Sequence, residues 1–420
     1  MGVTLGRWVG SRAARLPLWP TLALVSALVL LVQLPGTHAT AWHFFHDSSR
    51  LLIGDGPPGE AGGLRLYGDH PEFQFGPLSI GFAVPFSLMG YMAGSWAAMI
   101  VASAAGLIAF ALVVDTVERL RPGFGAQVRP LVLLASGTTV IVTWGDVAVR
   151  TAHIDDAIAL VAIAAAVRWC ACGQSWACVL ALAVAAAAKP WAIMFAPLAL
   201  LPVSYPCVAG IRWAGRWLAA NRAGVVRVAL VGILALLSWA PFVVSEPHTL
   251  DVTDFGITND PTSVLRGVGI GDPITPSWVR PAQLLGGVAL VGLVVVRGWW
   301  PSALLAGTAW RLLLDPGAHR YYTIGFVLGA LIVELMARRN RVPWGTIAAA
   351  LVLEITAVPG IPEVPGRTLR LVCVVAGLAA VGLVSSVYRP RQAPGRRRLG
   401  EGMPPNGAPA AASEPDELDG

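Results

Sequence analysis

The stretch TAHIDDAIALVAIAAAVRW, residues 151–169, sets a histidine and two adjacent aspartates at the mouth of an otherwise apolar helix. A carboxylate at bilayer depth costs roughly 2.5 to 3.5 kcal/mol on insertion scales, so an acidic pair at a membrane edge points first to function. The bland alternative is helix capping, because carboxylates complement the positive N-terminus of a helix. Capping accounts for one aspartate. It leaves the second, with His153 upstream and Asp146 before it, without a role.

The rest of the chain supports a membrane setting. Of its 420 residues 55% are hydrophobic and only 13% charged, about half the charged share of an ordinary soluble domain. Among the basic residues Lys189 is the only lysine. The net charge of +6 therefore reads through topology, since arginines in short loops orient helices toward the cytoplasm. It is no sign of a nucleic-acid partner. The five cysteines, Cys170, Cys172, Cys178, Cys207 and Cys373, lack zinc-finger spacing and read as small buried residues.

Apolar runs of membrane-spanning length fall at 16–36, 95–117, 130–147, 155–170, 174–189, 191–207, 225–245, 281–297, 300–314, 321–337, 343–359 and 367–387. The expected fold class is therefore an all-α polytopic membrane protein with about twelve transmembrane helices. It has a membrane domain over 1–388 and a disordered cytoplasmic tail over 389–420. The basic N-terminus and first apolar run also resemble a signal peptide, but further spans favour a retained anchor. The apolar segment Pro77 to Met92 holds two prolines and lies at the outer face in this scheme; a full crossing there would invert every later loop. The pair at 174–207 could instead form a re-entrant hairpin.

Arginines fix the orientation. With both termini inside, the cytoplasmic side receives Arg7, Arg12 and Arg15, then Arg119, Arg121 and Arg129, then Arg212, Arg216, Arg222 and Arg227, then Arg338, Arg339 and Arg341, and the arginines of the tail. All seven histidines then face outside. Two long outer loops result, 37–95 after helix 1 and 246–281, with the short polar loop DPGAHRYY at 315–322.

Candidate chemistry collects on that outer face. His153, Asp155 and Asp156 offer an imidazole and two carboxylates to a substrate or a divalent cation, although no strict ligand spacing is present. In the first loop Asp47, in AWHFFHDSSRLLIGDG, and Asp69, in LYGDHPEFQFGPLSI, lie near the interface. An aspartate there serves as general base if it reaches an acceptor hydroxyl; the competing reading is a solvated turn residue. Lys189, in AAAAKPWAI, is a compact ammonium suited to a phosphate, or a snorkelling residue. His319 and Arg320 add a second cation for bidentate phosphate contact. Trp42, Phe44 and Phe45 read as interfacial anchors before sugar platforms.

Three features taken together, QFGPLSIGFAVPF after a long first loop, the helix start HIDDAIAL, and the joint AAAAKPWAIMFAPLALL, resemble the GT-C class of membrane glycosyltransferases. More narrowly, the chain looks like the polyprenyl-phosphate-mannose-dependent mannosyltransferases of high-GC Gram-positive envelopes. The likeness spans roughly residues 7–201 by motif, and the remainder by topology. It implies an inverting transfer of a sugar, mannose in the nearest group, from a polyprenyl phosphate to an envelope glycolipid or glycan at the outer face of the plasma membrane. A first-loop aspartate would be the base, an acid of HIDD would orient substrate or metal, and Lys189 would meet the lipid phosphate. In such enzymes the base stands at the exit of helix 1, here nearer Trp42 or His43 than Asp47, which leaves Asp47 and Asp69 both in play. The chemistry agrees: outside the cell an activated sugar must arrive bound to lipid, and no Gly-rich phosphate loop is present. Two other readings remain. A proton-coupled transporter or flippase would use the aspartates and His153 as a proton relay, with Glu334 and Glu354 within predicted helices as its best support; an inactive scaffold would use the tail.

Overall fold

The computed structural model describes residues 18–33, 38–56, 62–203, 214–254, 256–337, 341–358 and 360–382. The basic N-terminus, Glu60, Cys207, Arg212, Arg338, Arg339 and the tail from Arg389 lie outside the described residues. Helix takes up 78% of the described residues and no strand occurs among them, which establishes the all-α class.

Among the described residues six segments are long and apolar enough to cross a membrane: Tyr91–Leu120, Pro130–Thr151, Arg222–Ser245, Val279–Val296, Arg320–Ala337 and Glu363–Val381. Five shorter apolar helices accompany them. We label the helices used below α1 (Leu18–Gln33), α2 (Trp42–Leu52), α3 (Pro77–Ser87), α4 (Tyr91–Leu120), α5 (Pro130–Gly145), α6 (Ile154–Ala171), α7 (Ser175–Ala188), α8 (Arg222–Ser245), α9 (Val279–Val296), α10 (Ala303–Leu313), α11 (Thr323–Ala337), α12 (Trp344–Ile355) and α13 (Glu363–Val381).

Burial separates inner from outer helices. In α6 eleven of eighteen side chains are buried; it is the central rod, packed against α4 and α7. Both α6 and α7 are alanine-rich, and small side chains let their backbones close up where no water drives association. By contrast α8 buries only Gly224, Val231, Ala235 and Phe242, while Leu236 is 69% and Val244 84% exposed. Apolar surface on that scale is unfavourable in water and natural against lipid.

The expected span at 191–207 takes another form. Residues Pro190–Leu200 wind as a 3-10 run buried along most of its length. Pro190 and Pro197 lack N–H donors, and the tighter winding gains about 2.0 Å per residue against 1.5 in an α-helix, so eleven residues reach farther. The first long loop is also largely helical, holding α2, the turn Leu66–Asp69 and α3.

Glycine at one joint sets the distance between loop and bundle. The Gly76 N–H donates to the Ala188 carbonyl at 2.9 Å, and a Cβ at Gly76 would stand 2.0 Å from the Ala187 carbonyl oxygen. Ser79 Oγ donates to the same Ala188 carbonyl at 2.8 Å. Backbone cannot step aside as a side-chain tip can, so Gly76→Ala is expected to destabilise by about 1–3 kcal/mol, read as a lower melting temperature in detergent. An unchanged melting temperature would show that the joint can open without loss.

Candidate functional site

The chain reaches the site through an irregular turn. After α5 the residues Asp146–Thr151 form a π-helical turn, a geometry frequent at functional sites. Ala152 then adopts φ 53°, in the left-handed region that non-glycine residues seldom occupy. The carbonyls freed by this break are taken up by the segment before α2: the N–H groups of Ala39, Thr40 and Ala41 donate to Val149, Arg150 and Thr151 at 2.8, 3.1 and 2.9 Å. The first loop thus braces the turn that aims His153 and the first turn of α6.

At that turn four side chains meet. Asp155 and Asp156 are 0% and 1% exposed. The Lys189 ammonium donates to Asp155 Oδ2 and lies 3.3 Å from Asp156 Oδ2. His153 Nδ1 is 3.2 Å from Asp155 Oδ1 and 3.9 Å from Asp156 Oδ2, and the Asp156 backbone N–H donates to Asp155 Oδ1 at 2.8 Å. Asp155 is therefore fully engaged. Asp156 is not: Oδ1 accepts from Trp191 Nε1 at 3.3 Å, but Oδ2 is buried without a hydrogen-bond donor. Lys189 reaches both carboxylates because it ends α7, while Trp191 enters at the start of the 3-10 run.

Beside Asp156 stands a residue the sequence did not single out. The Arg311 guanidinium is stacked between the rings of Trp191 and Tyr322, 4.2 and 4.1 Å from their centroids, with Nη1 3.9 Å from Asp156 Oδ1. Asp156, Trp191, Thr308, Arg311, Tyr321 and Tyr322 border a small void there. Tyr321 joins two histidines, its ring centroid 4.1 Å from that of His153 and 5.2 Å from that of His319. Burial, with the nearby His153, pushes His319 below its ordinary value, which favours the neutral imidazole.

Asp315 in the DPGAHRYY loop is buried and accepts the Gly317 N–H at 2.8 Å. Burial raises its carboxyl from 3.8 to about 6, against the lowering effect of Arg311 and the Gly317 donor. The folded chain then holds this proton more tightly than the unfolded chain does. Stability from this group is present below about pH 4 and is lost as pH rises through about 6, by roughly 3 kcal/mol at most. Asp315→Asn is expected to flatten that slope and raise the melting temperature above pH 6. A wild-type and a variant curve with the same pH dependence would refute the assignment.

Other expected residues lie apart from this cluster. Asp47 is 57% exposed and paired with His46 at 3.0 Å. Phe45, two residues earlier, meets the His153 ring edge-on at 6.3 Å; two residues on a helix turn about 200°, so Asp47 projects from the far side of α2. Asp69 closes its turn beside Arg65 at 3.5 Å, and Arg65 continues to Glu246. Arg320, expected beside Lys189, points to Glu354 at 4.0 Å instead. Buried Asp146, 3.2 Å from Arg150, and half-buried Glu354 form a second charge group. Glu334 has a structural task, accepting the Thr346 N–H at 2.9 Å and the Thr346 hydroxyl at 3.0 Å at the start of α12.

Charge also divides along α6. Its first turn carries the acids and its last turn Arg168, which donates to Asp115 at 2.6 Å beside Arg119, about 20 Å away at 1.5 Å per residue. On the flank of α6 an apolar groove of about 230 Å³ runs between α3, α4, α6 and α7, lined by Phe82, Phe86, Ala98, Val101, Ile154 and Ala157 among others. Ile154 and Ala157 bracket the acidic pair. No family model matches the chain, and neither a curated protein nor a solved structure does.

Proposed function

We propose that this chain is a polyprenyl-phosphate-sugar-dependent glycosyltransferase of GT-C type, moving a hexose, mannose by its resemblance, to an envelope glycolipid or glycan acceptor. The observation that carries this reading is one shared turn of helix: the residues that line the apolar groove, Ile154 and Ala157, flank the residues that make the charged cluster, Asp155 and Asp156. A lipid tail in the groove brings its phosphate to a site of cations and carboxylates. The transition state of glycosyl transfer gathers positive charge on the sugar ring and negative charge on the departing phosphate, and fixed charges of both signs stabilise it.

Contacts of the side chains refine the roles expected from sequence. Lys189 is held by two carboxylates, so Arg311, whose faces are covered by two rings and whose N–H edge suits bidentate contact, is the better phosphate ligand. Asp156 keeps an oxygen without a donor and joins Asp47 and Asp69 as a base for the acceptor hydroxyl. Twelve crossings, cytoplasmic termini and a site facing outside complete the proposal, with the short apolar helices α7, α10 and α12 and the 3-10 run counted among the crossings.

The test is transfer of radiolabelled mannose from polyprenyl-phosphate-mannose to an envelope-lipid fraction by the purified protein, with Asp47→Asn, Asp69→Asn and Asp156→Asn beside it. Loss in one variant that still inserts names the base. Wild-type transfer by all three removes the base assignment, and no transfer from any polyprenyl-linked sugar removes the reading. A transporter is favoured by one observation, the partly buried group of Asp146, Arg150, Arg320 and Glu354, since ionisable residues within a bundle serve proton relays. Proton-coupled uptake abolished by Glu354→Gln would establish it.

A further inference from the structure

We infer that the Lys189 ammonium stands in the place of a divalent cation, so that the His153–Asp155–Asp156 cluster is a metal site filled by a tethered cation and becomes a true metal site when Lys189 is removed. The inference concerns what the site holds and stands whatever substrate it serves.

Three observations carry it. Ligand atoms of His153, Asp155 and Asp156 all lie within 4.8 Å of one another, an imidazole and two carboxylates of the kind that manganese and its neighbours take. Into the same space comes Nζ of Lys189, in contact with Asp155 Oδ2 and 3.3 Å from Asp156 Oδ2. Finally, Asp156 Oδ2 is buried without a hydrogen-bond donor although the ammonium is within ion-pair distance. An oxygen so placed has lone pairs free for coordination, and its contact with the ammonium is one of charge more than of direction.

Electrostatics explains why one occupant excludes the other. Two buried carboxylates require a compensating cation. The ammonium supplies one positive charge on a stem fixed at the end of α7; a divalent ion bound by the same carboxylates would stand against a like charge in a site where screening by water is weak. Truncating Lys189 removes that repulsion and leaves two carboxylates balanced only by the longer contact of Arg311 to Asp156 and by His153, which attract the ion instead.

The experiment uses the full chain in detergent with Mn²⁺ alone as probe, read by electron paramagnetic resonance and by melting temperature. Expected is no saturable Mn²⁺ site and no stabilisation in the wild type. In Lys189→Ala one site should appear, with affinity raised roughly 100-fold or more and a lowered melting temperature that Mn²⁺ restores. Asp156→Asn added to Lys189→Ala should abolish both effects. Lys189→Arg, which keeps a tethered charge, should fold without Mn²⁺ and bind none. A wild-type Mn²⁺ site lost in Asp156→Asn overturns the inference. So does a Lys189→Ala chain that binds no Mn²⁺, or one that stays unfolded with and without the ion while Lys189→Arg folds, because the ion would then not replace the ammonium.

Discussion

Asp155→Asn is expected to lower the stability of the protein by about 3–5 kcal/mol, the loss typical of removing one partner from a buried ion pair. Asp155 is fully buried, accepts from the Lys189 ammonium and from the Asp156 backbone N–H, and lies against His153. An asparagine keeps the shape and one acceptor but leaves the ammonium with the single contact to Asp156. The decisive measurement is a double-mutant cycle on melting temperature in detergent. Lys189→Met alone should be about as damaging, since it strands two carboxylates. The pair Asp155→Asn with Lys189→Met should be much less damaging than the sum, because the two losses share one interaction. Additive losses would mean that Asp155 and Lys189 are not coupled as their contact indicates. Asp156→Asn should cost less stability than Asp155→Asn: its contacts are longer and spread over Trp191, Lys189 and Arg311. Asp155 holds the cluster together, which leaves Asp156 free to meet a substrate.

Much of this cluster was legible from residue types alone. Charges inside an apolar run have few bland explanations, so HIDD stood out; a single lysine in an arginine-rich chain stood out in the same way. Both readings needed only the cost of burying charge. The all-α class followed from the same apolar runs, six of which are apolar helices of crossing length among the described residues. Hydropathy records an apolar stretch and is blind to its winding, so it could not distinguish an α-helix at 191–207 from the proline-bearing 3-10 run that ends at Leu200. The polar loop 315–322 was read as a unit that offers Arg320 to the phosphate. In the fold the 3-10 turn Arg320–Tyr322 sends Arg320 toward Glu354 on α12 and keeps Tyr321 and Tyr322 at the cluster. Arg311 was missed for the converse reason. In the run AWRLLLD it looks like one more arginine at a helix end, and only the rotation of α10 against Trp191, 120 residues away in sequence, reveals its place. Asp146 and Glu354 likewise come together through tertiary packing that no local pattern encodes.

Arg311→Lys is the substitution with the largest expected effect on activity. Under the proposed reading the guanidinium is held flat by Trp191 and Tyr322 at 4.2 and 4.1 Å and presents paired donors to the departing phosphate. Lysine keeps the charge and loses the plane. It surrenders two stacking contacts of about 0.5–2 kcal/mol each, and it can meet a phosphate only as a point charge. Removal of one donor that acts on developing transition-state charge typically lowers turnover by about 100- to 1,000-fold, and a drop of that size is expected in sugar transfer. The split between constants separates chemistry from architecture. A phosphate ligand used mainly in the transition state lowers kcat with little change in KM for the lipid donor, whereas one that only binds the donor raises KM. A merely structural arginine would lower the melting temperature and leave turnover per folded molecule near the wild-type value. That last outcome would return the phosphate to Lys189, and the ion pairs that now hold Lys189 would have to open each time the donor binds.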